Sequence, residues 1–453
     1  MTVNESAEIE FTLDPKSASP KNINWSVENN DGIISFDESS LTVTALKPGI
    51  ATIVAKPERG MKTQMKIISK EKQAIIIVPG IMGTEFELSE SAKGFDIGTK
   101  IWPPFDDGEE LNFDNGLKSL LKLSLIQTDF DGNSKYDLRV SDNNYDSFGD
   151  YKQLYKQLHS EFSEEYDVLF FGYDWRLSNS SSGELLAELI NSYDRATVVA
   201  HSMGGLVASH MLTNENAKTK VDKLITIGTP FLGSLEMLPL IAVGDYEHIF
   251  EIGASFSEFE KYLLDTTTLK PVLQSISLNI PSIYELLPTE QFFTLDNRYY
   301  LSIDYDVLGT NALTSFDSTE HFIDKIVKDG IFNVSLYQKA KNNHASLWKE
   351  EGGHITSDVN TYYIIGENQS TFDRYEFHHK QKSYHTRSTK AGDGAVLSYS
   401  ASINDMYPSK TIYASEQHIN LVCSRNLIKA IKDLIKGEFE PNDHIRYNSI
   451  IKL

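Results

Sequence analysis

The stretch Ala200-His201-Ser202-Met203-Gly204 sets a serine between small residues, with the apolar run "ATVVA" before it and "MGGLVASHML" running on after it. A strand that turns sharply into a helix pushes a serine hydroxyl outward at the carboxyl edge of a sheet. Small flanking residues are needed because strand and helix nearly touch there. The pattern is close to Gly-x-Ser-x-Gly, with Ala200 in place of the first glycine and Gly204 and Gly205 keeping the far side small. A serine hydroxyl attacks a carbonyl near neutral pH only if a histidine takes its proton and a carboxylate orients that histidine. The chemistry in question is acyl transfer through a serine ester, so the chain must also supply an acid, a base and two oxyanion donors.

In sheets of this kind the acid and then the histidine follow the serine, each after a later strand. Asp393, between two glycines in "TKAGDGAVLSYS", follows the run "TYYIIG", and His418, in "EQHINLV", follows "TIYAS". Ser202, Asp393 and His418 are therefore the candidate nucleophile, acid and base, with Asp405 and Asp174 as rival acids. The tetrahedral intermediate needs two backbone N–H donors. Met203, directly after the serine, is expected to provide one. Ile81 is expected to provide the other, its amide freed by the sharp Pro79-Gly80 bend in "IIIVPGIMGTEFEL".

The elements that must position these residues are near-continuous apolar runs: "AIIIV", "DVLFF", "ATVVA", "LITIG", "TYYIIG" and "TIYAS". Strands buried on both faces read this way, because helices cover both sides of a parallel sheet. Helical patterns such as "YKQLYKQLHSEF" and "GGLVASHMLTNE" lie between them. The expected fold class is α/β, a doubly wound and mostly parallel sheet, over residues 74–453. The "SNSSSG" run at 178–183 reads as a solvated loop. Two insertions, about 86–150 and about 234–355, separate the core pieces. The second holds "LPLIAVGDYEHIFEIGASFSEFEKYLL", read either as packing of a cap domain or as a lid that opens at a lipid interface. Residues 1–69 have another rhythm, short alternating runs between turn residues, which predicts a small N-terminal β-sandwich.

A chain of 453 residues has room for two domains. Its 42 basic and 64 acidic residues give a net charge of -22, which argues against nucleic acid as a partner and leaves neutral or zwitterionic substrates open. Cys423 is alone, so an internal disulfide and a cysteine-rich zinc site are excluded, and a small buried hydrophobe is expected there. No run of about 18 apolar residues predicts a membrane-spanning helix. The start "MTVNESAEIEFTLD" has no signal-peptide pattern, so either the chain stays inside the cell or an export signal lies outside this sequence.

The pieces "VPGIMGTEFEL", "YDWRLS", "HSMGGL", "ITIGTPFLGS", "GDGAVLSYS" and "EQHINLV" occur in that order over roughly residues 74–436. Together they resemble the lecithin–cholesterol acyltransferase family, which includes lysosomal phospholipase A2 and plant phospholipid:diacylglycerol acyltransferases. The resemblance implies an α/β-hydrolase fold. It implies Ser202 as nucleophile, Asp393 as acid, His418 as base, and Ile81 and Met203 as oxyanion donors. It also implies transient contact of the insertions with lipid surfaces. The family's usual Gly-Asp-Gly-Thr-Val departs here to Ala395, which removes a hydroxyl near the acid and touches its fine positioning. Separately, "INWSVENNDGIISFDESSLTVTALKPGIATIVAK" resembles the bacterial immunoglobulin-like group 2 domain, in which a tryptophan such as Trp25 packs the core. Such modules are usually spacers or adhesive units on exported proteins, and an inert spacer is the plainer reading.

The function expected is a serine esterase of lipid acyl esters, a lipase, phospholipase or O-acyltransferase, with a lipid or other acyl ester as its partner. No cofactor and no metal are expected. His378, His379 and His385 have no carboxylate or cysteine partners at ligand spacing. The alternative is an exported adhesion or binding protein whose hydrolase fold is inactive. His201 is read as packing, and Asp174-Trp175-Arg176 as a buried ion pair bracing the site from below.

Overall fold

Successive residues of the strand Gln73–Val78 (β1) enter opposite cores, with Ala74, Ile76 and Val78 on one side and Ile75 and Ile77 on the other. An uninterrupted β-branched run is stable only in this setting, with both faces removed from water. In the computed structural model the chain is described at residues 1–12, 23–58, 61–104, 113–141, 151–245, 266–294, 301–304, 313–316, 318–327, 332–350, 352–378, 383–438 and 446–447.

The other strands of this sheet are Asp167–Phe170 (β2), Arg195–His201 (β3), Val221–Ile227 (β4), Thr361–Gly366 (β5), Thr411–Ala414 (β6) and the two-residue Arg446–Tyr447 (β7). Their order is β2-β1-β3-β4-β5-β6-β7, and every pairing is parallel. One face is covered by Tyr151–Phe162 (α1) and Arg425–Lys436 (α4). In α4, Leu427, Ile428, Ile431, Leu434 and Ile435 form a stripe at helical spacing, each side chain contributing about 1.5–3 kcal/mol on burial. Asn179–Asn191 (α2) and Gly204–Met211 (α3) cover the other face.

The run at 178–183 corrects the sequence reading. It is a helix start, not a loop. Ser178 is the N-cap, and its hydroxyl accepts from the Ser180 amide. The carboxylate of Glu285, far away in sequence, accepts from the Asn179 amide and the Ser178 hydroxyl, both at 2.7 Å. Serine and asparagine favour caps over helix interiors, and here the satisfied cap carries the polar run into the core. A Cβ at Gly183 would lie 2.7 Å from His210 Cβ, so glycine lets α2 and α3 touch. Cys423 is half-buried, more open than the sequence suggests.

The two insertions carry structure of their own. In the first, Phe86–Leu88, Lys100–Trp102 and Leu138–Val140 form a three-stranded antiparallel sheet beside the helix Phe113–Leu125. In the second, Leu301–Asp304 pairs with Leu313–Phe316 and, in parallel, with Thr371–His378 of a hairpin completed by Ser383–Thr389. That hairpin is not legible in the sequence pattern. Much of the aromatic stretch read as cap packing or as a lid, residues 246–265, lies outside the described residues, as does His379. Among the described residues no helix is long and apolar enough to cross a membrane.

The described part of residues 1–69 forms two three-stranded antiparallel sheets, consistent with a small sandwich. Ile34, Val43, Ala51, Ile53 and Ile67 make a separate core, against which Trp25 packs.

Three buried histidines, His210, His344 and His354, sit close enough to oppose one another's charge. Burial first, and then the neighbouring histidines, hold His210 and His354 down to about 3, and burial lowers His344. A lowered histidine stabilises the fold above its unfolded value near 6.5, and that stability drains away as pH falls toward about 3. Buried Glu285 is raised and runs the opposite way, so the clean measurement is a comparison. Relative to His354→Gln, the wild type should lose Tm progressively as pH falls from about 6.5 to 4. A Tm difference that stays constant over that window would contradict the assignment.

Candidate active site

Ser202 occupies the turn between β3 and α3 with φ at +52°, a left-handed conformation that a residue with a side chain rarely adopts. Its amide donates to the Ile227 carbonyl at 2.8 Å, tying the turn to β4. The glycine that this elbow requires is Gly204. A Cβ there would lie 2.5 Å from the carbonyl oxygens of both Val78 and Pro79. Ala200, at the substituted position, is fully buried within the strand.

The fold brings Ser202, His418 and Asp393 into one hydrogen-bonded line. Ser202 Oγ is 2.9 Å from His418 Nε2, and His418 Nδ1 is 2.7 Å from Asp393 Oδ2. All three are buried. The second oxygen of Asp393 accepts from the amides of Ala395 at 3.0 Å and Val396 at 2.7 Å, which keeps Oδ2 aimed at the imidazole. The His418 amide donates to the Asp393 carbonyl at 2.9 Å, so the two loops also clasp each other through backbone. Thr371, from the hairpin that the sequence does not reveal, accepts from the Gly394 amide at 2.8 Å and supplies a hydroxyl to the acid loop where Ala395 has none. The rival acids are engaged elsewhere. Asp405 accepts from Tyr413 Oη, and Asp174 pairs with buried Arg176 through bonds of 2.6 and 2.9 Å.

Met203 follows the serine directly, and Ile81 follows Gly80, whose backbone lies against the serine. Among the described residues no backbone acceptor lies on either amide. The loop carrying Ile81 is clamped by side chains from three elements. Tyr173 Oη donates to the Pro79 carbonyl at 2.9 Å, Tyr151 Oη accepts from the Gly80 amide at 2.8 Å, and Trp102 Nε1 donates to the Met82 carbonyl at 2.9 Å. None of these clamps stands out in the sequence, because an isolated tyrosine or tryptophan in an apolar pattern looks like core.

His201 does more than pack. Its ring lies 4.8 Å from that of His418, and its Nε2 is 3.1 Å from the His418 carbonyl. Burial, followed by the proximity of His418, holds it well below the ordinary histidine value of 6.5. Another unforeseen group is Glu236, a buried carboxyl at the start of the second insertion. Burial and then the charge of Asp393 push it well above the ordinary carboxylate range.

A parallel sheet with helices on both faces and a serine on a strained strand-to-helix turn defines the α/β-hydrolase class. Within that class, the sequence model of the lecithin:cholesterol acyltransferase family matches residues 139–396, more than half of the chain, and the chain belongs to that family. It stands accordingly among acyl-ester hydrolases and acyltransferases. Ser202 and Asp393 fall inside the matched residues, Ile81 and His418 outside them. The solved Tle4–Tli4 complex contains a chain similar in fold, with 12% identity, a TM-score of 0.50, and 81% of this chain and 99% of that one covered. Mature lipase BlEst2 of Bacillus licheniformis aligns at 13% identity over 81% of this chain and 92% of its own, with a TM-score of 0.32. No curated protein matches the chain in sequence.

Gly80 packs directly against the Ser202 side chain. A Cβ there would lie 2.8 Å from Ser202 Cβ and 3.3 Å from its Oγ. Displacing a reacting group by up to an ångström costs about 10²-fold in rate. Gly80→Ala should therefore lower kcat by about that factor while the protein remains folded. A Gly80→Ala enzyme with unchanged kcat would show that the contact is slack.

Proposed function

We propose that the chain is a serine esterase of lipid acyl esters working through an acyl-enzyme. The observation that carries this reading is the continuous line from Ser202 Oγ through His418 to Asp393, starting from a serine in strained backbone. In this reading Ser202 Oγ attacks the acyl carbonyl while its proton passes to His418 Nε2. Asp393 Oδ2 accepts the Nδ1 proton's hydrogen bond throughout, holding the tautomer and stabilising the imidazolium without becoming protonated. The Ile81 and Met203 amides receive the oxyanion, each donor of that kind being worth roughly 10²–10³ in kcat. His418 then protonates the departing alcohol or lysolipid, and the cycle closes when water, activated by the same nitrogen, attacks the serine ester. An alcohol taking the place of water would make the outcome acyl transfer. Family membership and the apolar second insertion support a lipid as the acyl donor.

A fluorophosphonate probe tests the reading, since it esterifies only an activated serine. Wild type should label in proportion to active sites, and Ser202→Ala should not label. Equal labelling of the two would leave the inactive-fold alternative standing.

We also propose that residues 1–69 are a separate spacer unit and that 74–453 hold all of the chemistry. The separate N-terminal core and the position of every candidate site residue beyond residue 80 support this. A chain starting at Lys72 should keep kcat on a soluble short-chain ester within a few-fold. Collapse of kcat in a truncated protein with a normal melting transition would count against it.

A further inference from the structure

We propose that Tyr151 and His201 are positioning residues that couple the oxyanion loop to the backbone of the general base, an inference that rests on the serine-esterase reading above.

The argument is one of donors and acceptors. The Gly80 amide can only donate, and it donates to Tyr151 Oη at 2.8 Å. The His418 carbonyl can only accept, and it faces His201 Nε2 at 3.1 Å. Between them, Tyr151 Oη lies 2.7 Å from His201 Nδ1. Because both ends are fixed in sense, the interior is fixed as well. Tyr151 must donate to Nδ1, and the single proton of neutral His201 must sit on Nε2. The opposite tautomer would set a lone pair against the His418 carbonyl oxygen. The result is a directed chain from the Gly80 amide through Tyr151 and His201 to the His418 carbonyl, passing beneath the serine that His201 immediately precedes.

The surroundings keep this chain intact. Tyr151 is 1% exposed and His201 3% exposed. The Tyr151 ring packs edge-on against Phe170 and His201, with centroids 5.6 and 5.7 Å apart. A proton on Nδ1 would break the Tyr151 donation and place a second positive charge 4.8 Å from the ring that must become imidazolium. Burial and the nearness of His418 both oppose it, so His201 stays neutral. In this arrangement Gly80, and with it the adjoining Ile81 amide, shares one rigid reference with His418. Acid–base geometry and oxyanion geometry are set together.

Kinetics on p-nitrophenyl butyrate with the full-length chain distinguish positioning from simple packing. Tyr151→Phe keeps the ring and removes one oxygen, leaving the Gly80 amide and His201 Nδ1 unpaired. We expect kcat to fall on the order of ten-fold with KM within two-fold. His201→Phe should fall at least as far. His201→Gln, which retains an N–H able to reach the His418 carbonyl, should recover part of the loss. The double variant Tyr151→Phe with His201→Phe should be no worse than the poorer single one, since both cut the same chain. A folded Tyr151→Phe with wild-type kcat, or a loss confined to KM, overturns the proposal. If Tyr151→Phe does not fold, the His201→Gln and His201→Phe pair decides: equal kcat in those two overturns it, and partial recovery by Gln supports it. Fluorophosphonate labelling of wild type and Ser202→Ala runs alongside. Failure of that control sinks the esterase reading itself, whereas intact labelling with no effect at Tyr151 and His201 sinks only the coupling.

Discussion

The left-handed backbone at Ser202 is the constraint around which this molecule is arranged. A non-glycine residue at φ +52° costs on the order of 1–3 kcal/mol and persists only where its surroundings leave no alternative. Here β3 is hydrogen-bonded to β1 and β4, and α3 leaves the turn immediately, with Gly204 lying against the carbonyls of Val78 and Pro79. Relaxing the serine would require separating α3 from the end of β1. Two cores, one on each face of the sheet, oppose that separation.

The same closeness dictates the neighbouring loops. Because Gly80 passes against Ser202, its loop cannot carry a side chain at that point or drift away. Its backbone polar groups are buried and need partners, since an unmet one costs about 1–3 kcal/mol. Tyr151, Tyr173 and Trp102 supply them, from a helix, a loop and the first insertion. Polar satisfaction and site geometry are thus one requirement, and the insertion is joined through it to the edge of the sheet that carries Ser202. A comparable bond joins the second insertion: Ser234 donates to the Ala395 carbonyl at 2.7 Å, in the loop that presents Asp393.

Charges in the interior follow a consistent rule. Arg176 is fully buried, paired with Asp174, and also hydrogen-bonded to the Ile126 carbonyl and the Ser134 hydroxyl. Where no such ion pair is available burial works against the charge, driving His201, His210 and His354 down and Glu236 up. Neutral imidazoles are at once donors and acceptors, which is what allows His201 to sit in the middle of a directed chain.

The sequence by itself determined the sheet and the residues that converge at its edge. Runs buried on both faces are a local signal, visible in β1, β3 and β5, and chain order after the serine makes Asp393 and His418 candidates, with Asp405 and Asp174 left as rival acids. The structure brings Asp393 and His418 within hydrogen-bonding distance. Local pattern misleads where a distant group reverses its meaning. The polar run at 178–183 is a buried helix start because Glu285, more than a hundred residues on, caps it. Only the tertiary structure decided that His201 and Tyr151 meet beneath the serine, that Thr371 serves the acid loop, and that Thr371–His378 pairs with a strand of the second insertion. Tyr151 and His201 are 50 residues apart, and Thr371 and Gly394 are 23 apart, beyond the reach of any local repeat. Periodicity reports whether a side chain is buried. It carries no record of which partner burial brings to it.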